Sequence, residues 1–282
     1  MEIDRLRDDD APLTPVEDVA AKSPEIVQDL EDRDKRAARV EYPVRVEAVY
    51  LEAAREHWRT TAKPTLEKEW TDYKETHPLP ACAEPNIGEA AADSVRRGCG
   101  EIRETEDKIV TPAIRRIEAE DPDRHLVGLE FRCKSEDRIM EKVAHDMQYK
   151  GRTPDEALAN VKDSIRYTFQ YTEEHYTEGT YADVDRLKAT GFELVELRNS
   201  WGGDEYKGIN SRWRLPENGQ LFEVQFHTQI SFEAKQLTHP AYERLRNPAT
   251  VKAEQEDLVD FQRRVNVYVP GPRDALGIPD YP

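Results

Sequence analysis

LFEVQFHT, residues 221–228, alternates strictly: Phe222, Val224 and Phe226 are apolar, while Glu223, Gln225 and His227 are polar. Side chains of a β-strand point alternately to its two faces, so the stretch reads as a strand with one face toward a core. The other face then carries a carboxylate, an amide and an imidazole about 6.6–6.8 Å apart. Such a row suits a catalytic ledge, and equally the ordinary solvent face of a half-buried sheet. Working outward, three more β-like runs lie at 164–171, 193–201 and 207–215, the last joined to 221–228 by the turn PENG, residues 216–219. A helical pattern over 181–190 ends at Gly191.

Upstream, the apolar period changes from about four to two at Leu126. Val127, Leu129, Phe131 and Cys133 oppose Glu130, Arg132 and Lys134, which predicts a half-buried strand. Ser135 stands where an N-cap belongs, with Glu136 and Asp137 in the first turn and Ile139, Val143 and Met147 at four-residue steps. This helix is expected to run to Lys150 and stop at Gly151. Before residue 120 the pattern is mostly helical: Val46, Val49, Tyr50, Ala53 and Ala54 mark one amphipathic helix, and Leu66, Trp70 and Tyr73 another after a break at Pro64. A third spans Ile87 to Val110, interrupted at Gly98 and Gly100 and bent or ended near Pro112. The expected organisation is an acidic, loosely held arm (1–42), a helical region (43–122), an α+β domain with a mixed β-sheet flanked by helices (123–248), and a C-terminal helix with a proline-rich tail (249–282).

Acids outnumber bases 58 to 41, a formal charge of −17, which argues against duplex DNA or an anionic membrane as partner. No run approaches the roughly 18–20 apolar residues of a membrane span, and the first 30 residues lack an apolar signal region. The sequence therefore predicts a soluble, cytoplasmic chain as given. Cys82, Cys99 and Cys133 are too few and too scattered for a disulfide framework.

Four features carry chemistry. Arg132 and Lys134 share one face of the expected strand, and Ser135 opens a helix that continues with Arg138 and Lys142, so cations would gather beside a helix N-terminus that itself favours an anion. The same residues suit a solvated face paired with Glu136, Asp137 and Glu141. Asp163 begins the run DSIRYTF, with Arg166 three residues on and hence expected on the opposite face; an acid there can share a divalent metal with a distant carboxylate such as Glu223, or merely cap a turn. Tyr206, in DEYKGIN, precedes a glycine that would leave its ring open to a base or sugar; it reads equally as a core tyrosine. His239, in THPAYE, reads as a loop histidine before proline.

In order along the chain, RCKSEDRIMEK (132–142), DSIRYTF, GFELVELRNSW (191–201), YKGINSRW (206–213), FEVQFHT and THPAYE resemble the synthetase domain of the Rel/Spo family, and most nearly its actinobacterial nucleotide 3′-pyrophosphokinase and toxin-type branches. The match covers about residues 125–246. The resemblance implies a Mg²⁺-dependent transfer of pyrophosphate from ATP to the 3′-hydroxyl of a purine nucleotide, giving an alarmone-type product of the pppApp or ppGpp class. It implies that Arg132, Lys134, Ser135, Lys142 and Arg166 hold ATP, that Asp163 and Glu223 are the catalytic and metal-side carboxylates, and that Tyr206, Lys207 and Asn210 meet the acceptor. Gln225, His227 and His239 take supporting places. A base stacked on Tyr206 needs only its ring face, so Tyr206→Phe is expected to change little. The segment EYKGIN departs from the guanine-specific G-Y-R-S-L-H, which puts guanine preference in doubt. Alternatives within the resemblance are a delivered toxin that pyrophosphorylates the tRNA 3′ end and meets an antitoxin or immunity protein, or an inactive nucleotide-sensing module.

Overall fold

The computed structural model describes residues 42–78, 87–247 and 249–282, with side chains from residue 48. The acidic arm, except for its last residue, and Cys82 lie outside the described residues. Helix α1 (Tyr42–His57) passes through one π-helical turn, Trp58–Ala62, into α2 (Lys63–Thr76). α3 (Glu89–Thr105) likewise passes through a π turn, Glu106–Val110, into α4 (Thr111–Ala119). The breaks expected at Pro64 and Pro112 are therefore π turns. Each proline is the second residue after one, and the Lys63 and Thr111 N–H groups reach back to the Trp58 and Glu106 carbonyls, so the helix continues past a residue that has no N–H to give. Gly98 does not interrupt α3. A Cβ there would stand 2.1 Å from Leu158 Cδ2, so glycine allows a neighbouring short helix to come close.

The remaining elements are β1 (Arg124–Val127), α5 (Glu136–Lys150), α6 (Pro154–Ala159), β2 (Arg166–Tyr171), α7 (Tyr176–Ala189), β3 (Glu193–Asn199), β4 (Ile209–Arg214), β5 (Leu221–Thr228), α8 (Gln229–Leu245) and α9 (Lys252–Asn266). The strand expected over 126–134 is shorter than its pattern. Gly128, at φ 64°, turns the chain into a 3₁₀ turn at Leu129–Phe131, because the left-handed region costs glycine nothing. Ser135 caps α5, its Oγ accepting the Arg138 N–H, and Gly151 closes the helix at φ 64°.

The fold is α+β, with a mixed five-stranded sheet in the order β1-β2-β5-β4-β3. β2 and β5 are parallel and all other neighbours antiparallel. One sheet face, with Tyr167, Phe169, Tyr171, Phe222, Val224 and Phe226, is buried in a core continuous with Trp58, Leu66 and Trp70 of the first helices and with Val95, Ile102 and Ile114 of α3 and α4. The C-terminal tail is irregular yet docked: Tyr281 exchanges both backbone hydrogen bonds with Leu197, closing the exposed edge of β3. Among the described residues no helix is long and apolar enough to cross a membrane.

Asp146, near the end of α5, accepts from Lys150 at 2.6 Å, from Asn160 at 3.0 Å and from Arg152. Burial opposes its charge, but these donors prevail and hold the carboxyl at about 2. A depressed carboxyl stabilises the fold above its unfolded value and loses that contribution as pH falls toward the folded one. Asp146→Asn should cost about 1–2 kcal/mol at pH 7, and urea titrations should show the deficit shrinking by roughly half at pH 3. A deficit independent of pH would contradict this.

Candidate active site

Three distant segments meet through backbone hydrogen bonds. Cys133 and Ile165 form an isolated bridge, flanked by Lys134 N–H to Ser164 O and Arg166 N–H to Arg132 O, both 2.8 Å. On the other side of the same residues, Glu223 N–H donates to Ile165 O at 2.9 Å, and the parallel ladder sets Arg166 opposite Glu223 and Thr168 opposite Gln225. β4 continues both rows with Arg212 opposite Glu223 and Asn210 opposite Gln225.

Asp163 is the charged hub. Lys142 Nζ is 2.7 Å and Lys134 Nζ 3.3 Å from it, and Arg166 Nη2 donates to it at 2.8 Å. The Arg166 Nε donates to Glu223 Oε2 at 2.6 Å, so one guanidinium joins the two carboxylates. Asp163 and Arg166 therefore share a side, against expectation. Strand alternation does not apply to Asp163, which lies in a turn before the strand begins at Arg166. Burial alone would raise the Asp163 carboxyl; Lys134 and Lys142 outweigh it and hold the group at about 2. Burial lowers Lys134 despite Asp163. Arg132 leaves this cluster: its Nε donates to the buried Glu106 in the π turn after α3 at 2.9 Å, so it and Lys134 do not share a face.

Farther along the polar rows of β4 and β5, around Tyr206, the direct contacts are between neutral groups. Tyr206 Oη donates to Asn210 Oδ1 at 2.8 Å and lies 2.9 Å from His227 Nε2; His227 Nδ1 lies 2.9 Å from Ser231 Oγ, which accepts the Thr228 N–H at 2.9 Å. The donors balance if neutral His227 carries its proton on Nε2, gives it to Tyr206 and accepts from Ser231, whose single hydroxyl proton then turns from the Thr228 carbonyl 3.2 Å away. Burial, followed by Lys235, drives the His227 pKa well down, in keeping with that neutral form. Gly208 does not open space beside the tyrosine. It sits at φ 148°, and a Cβ on it would lie 2.7 Å from His227 Cε1, so the glycine makes room for the histidine. Lys207 Nζ donates to Trp201 O at 2.9 Å.

Comparison with protein-family models and with curated proteins finds no match. Among solved structures the chain is similar to small alarmone synthetase 1 from Bacillus subtilis bound to its product pppGpp, at 15% identity and TM-score 0.43, over 62% of this chain and 91% of that one. It is similar to small alarmone synthetase 2 from Bacillus subtilis at 16% identity and TM-score 0.44, over 65% and 96%. It is also similar to the Type VI effector Tas1, solved with its immunity protein, at 18% identity and TM-score 0.41, over 64% and 98%. The likeness is one of chain path, and the roles of the residues rest on the geometry.

The donor set of Asp163 and Glu223 is two hard carboxylates beside cations, and among the described residues no third His, Cys, Asp or Glu joins them. They fit Mg²⁺ only as a pair completed by phosphate oxygens and water, since Mg²⁺ keeps most of its shell from substrate and solvent. Glu223, Gln225 and His227 are all buried rather than solvent-facing, and α8 covers the last two through Lys235 and Ser231. From this helix Lys235 Nζ donates to Gln225 Oε1 at 2.5 Å. His239 lies within α8, not in a loop; the helix continues through Pro240, and His239 Nε2 stands 3.9 Å from Glu243. The sequence reading missed Lys235 and Glu106. Lys235 was legible in principle, since Ser231, Lys235 and His239 recur at four-residue steps on one helix face.

Because its hydroxyl joins His227 to Asn210, Tyr206→Phe should not be neutral. Leaving buried partners unmatched costs about 1–3 kcal/mol, readable by chemical denaturation. Gly208→Ala should destabilise at least as much, through both its φ and the imidazole. Unchanged midpoints in both variants would refute the relay.

Proposed function

We propose that the protein transfers a pyrophosphoryl group from ATP to the 3′-hydroxyl of a purine nucleotide, with Mg²⁺ as cofactor. The observation that carries this reading is the pair Asp163 and Glu223 joined by Arg166, with Lys134 and Lys142 on one side and Tyr206 beyond Gln225 and Asn210 on the other. A triphosphate suits the cationic end, and the ring of the half-buried Tyr206 offers a base at the neutral end a stacking surface worth about 1–3 kcal/mol.

In this scheme Lys134, Lys142 and Arg166 bind the triphosphate and orient its β-phosphorus toward the acceptor. Glu223 takes the proton of the 3′-hydroxyl. The hydroxyl oxygen then bonds to the β-phosphorus, the bond from that phosphorus to the α–β bridging oxygen breaks, and AMP leaves with the electron pair. The same cations neutralise charge growing on AMP. Bound by Asp163 and Glu223, Mg²⁺ would supply further neutralisation on the phosphates. A phosphate entering between the carboxylates competes for the Arg166 guanidinium, so substrate binding loosens the bridge.

Purified protein should be incubated with ATP, Mg²⁺ and each nucleoside mono-, di- and triphosphate, and separately with tRNA, with products resolved by mass. The reading expects AMP together with a purine nucleotide heavier by one pyrophosphoryl group. Asp163→Asn and Glu223→Gln should each lower the rate by about 10³-fold or more while the protein stays folded. Near wild-type turnover in either variant, or AMP formation with no acceptor labelled, would overturn it; label on tRNA alone would replace the nucleotide by the tRNA 3′ end.

A further inference from the structure

Lys235 lies on α8, half-buried where that helix covers the polar row of β5. Its Nζ donates to the neutral amide oxygen of Gln225 at 2.5 Å and stands 5.4 Å from the centre of the Phe232 ring. Among the described residues no carboxylate lies within ion-pairing distance of it, whereas Lys134 and Lys142 both have Asp163. The charged neighbours that bear on it are Arg166 on β2, which repels, and Glu223 on β5, which attracts without touching it. His227 and His239 are the titratable rings on its side of the groove, both pushed toward neutrality by burial. A desolvated ammonium without a counter-ion is costly, and a fold that needed only packing there would be served by an apolar side chain.

Its place gives the cost a use. Gln225 is the next residue after Glu223 on the polar face of β5, set between Thr168 of β2 and Asn210 of β4, and Asn210 accepts from Tyr206. Lys235 thus stands over Gln225, whose place in the sheet rows lies between Glu223 and the Tyr206 contacts. We infer that Lys235 is a phosphate-binding residue, its ammonium pairing with an anionic oxygen of a nucleotide where donor and acceptor meet. The inference rests on the proposed reading of the groove. The pKa of the free ammonium, brought down to about 8 by burial and Arg166, is consistent with a cation awaiting its anion. Phosphate oxygens of the donor and of the acceptor offer the same chemistry.

Calorimetric titrations of the full chain with ATP, inorganic pyrophosphate and GDP separate these sources, with Lys235→Met, Lys235→Gln, Lys235→Arg and the exposed Lys188→Met compared with the natural protein. Thermal melting of each serves as a second readout. Lys235→Met and Lys235→Gln should weaken binding about tenfold or more, the scale of one charge-assisted hydrogen bond. Lys235→Arg should recover most of it and Lys188→Met should change nothing. Lys235→Met should melt no lower than the natural protein, because it removes a partly desolvated charge that has no carboxylate partner. Weakened ATP and pyrophosphate assign the contact to the donor; weakened GDP alone assigns it to the acceptor. Natural protein that binds these ligands, with Lys235→Met binding them equally, would overturn the inference and leave the reading of the groove intact. Natural protein that binds none of them would overturn both.

Discussion

A single guanidinium, that of Arg166, spans Asp163 and Glu223, and the arrangement of the groove follows from it. Arg166 and Glu223 are 57 residues apart in the chain and directly opposite in the parallel ladder. Parallel strands need a long crossover, and here the crossover carries α7, β3 and β4, so β4 returns to complete the polar rows from the other side of β5. Asp163 completes the bridge from the turn before β2, and the Cys133–Ile165 pairing brings Lys134 against it. Truncating one partner of such a largely buried pair, as distinct from exchanging a carboxylate for its amide, leaves the others uncompensated, at a cost of about 3–5 kcal/mol. The bridge is therefore both a constraint on register and a concentration of charge.

The site has two electrically different parts. Around Asp163 the contacts are between full charges, and a phosphate can exchange with a carboxylate for the same cations. Around Tyr206 the direct contacts are neutral hydrogen bonds, from the Thr228 amide to Asn210, and they keep the aromatic ring in place. Lys235 stands over Gln225, which lies between them in the sheet rows. The helical half is tied to the elements that frame the site: Glu106 holds Arg132 and the Tyr167 hydroxyl, and Glu233 on α8 accepts from Trp58 at 3.0 Å and from Lys63 at 2.8 Å.

How far the sequence reveals this depends on where local pattern governs. The alternation of LFEVQFHT, the Ser135 cap and the Gly151 stop are local, and each corresponds to an observed element. What pattern does not show is coverage. The polar row of β5 looks like a solvent face, yet it is buried, in part by α8, and only the four-residue recurrence of Ser231, Lys235 and His239 hints at that. Alternation misleads at Leu129–Lys134, where Gly128 turns the chain, and at Asp163, which precedes its strand. The prolines at 64 and 112 read as breaks because a π turn, which accommodates them, has no sequence signature of its own. The glycine at 208 reads as open space, although the His227 ring that fills it lies across a strand pairing.

The account turns on the bridge being the place where a triphosphate enters. A crystal structure of the protein with Mg²⁺ and a non-hydrolysable ATP analogue tests this most directly. The account predicts the triphosphate against Lys134 and Lys142, with Arg166 released from at least one carboxylate and donating to phosphate. A nucleotide bound elsewhere, or one in the groove with Arg166 still joining Asp163 to Glu223, would contradict it.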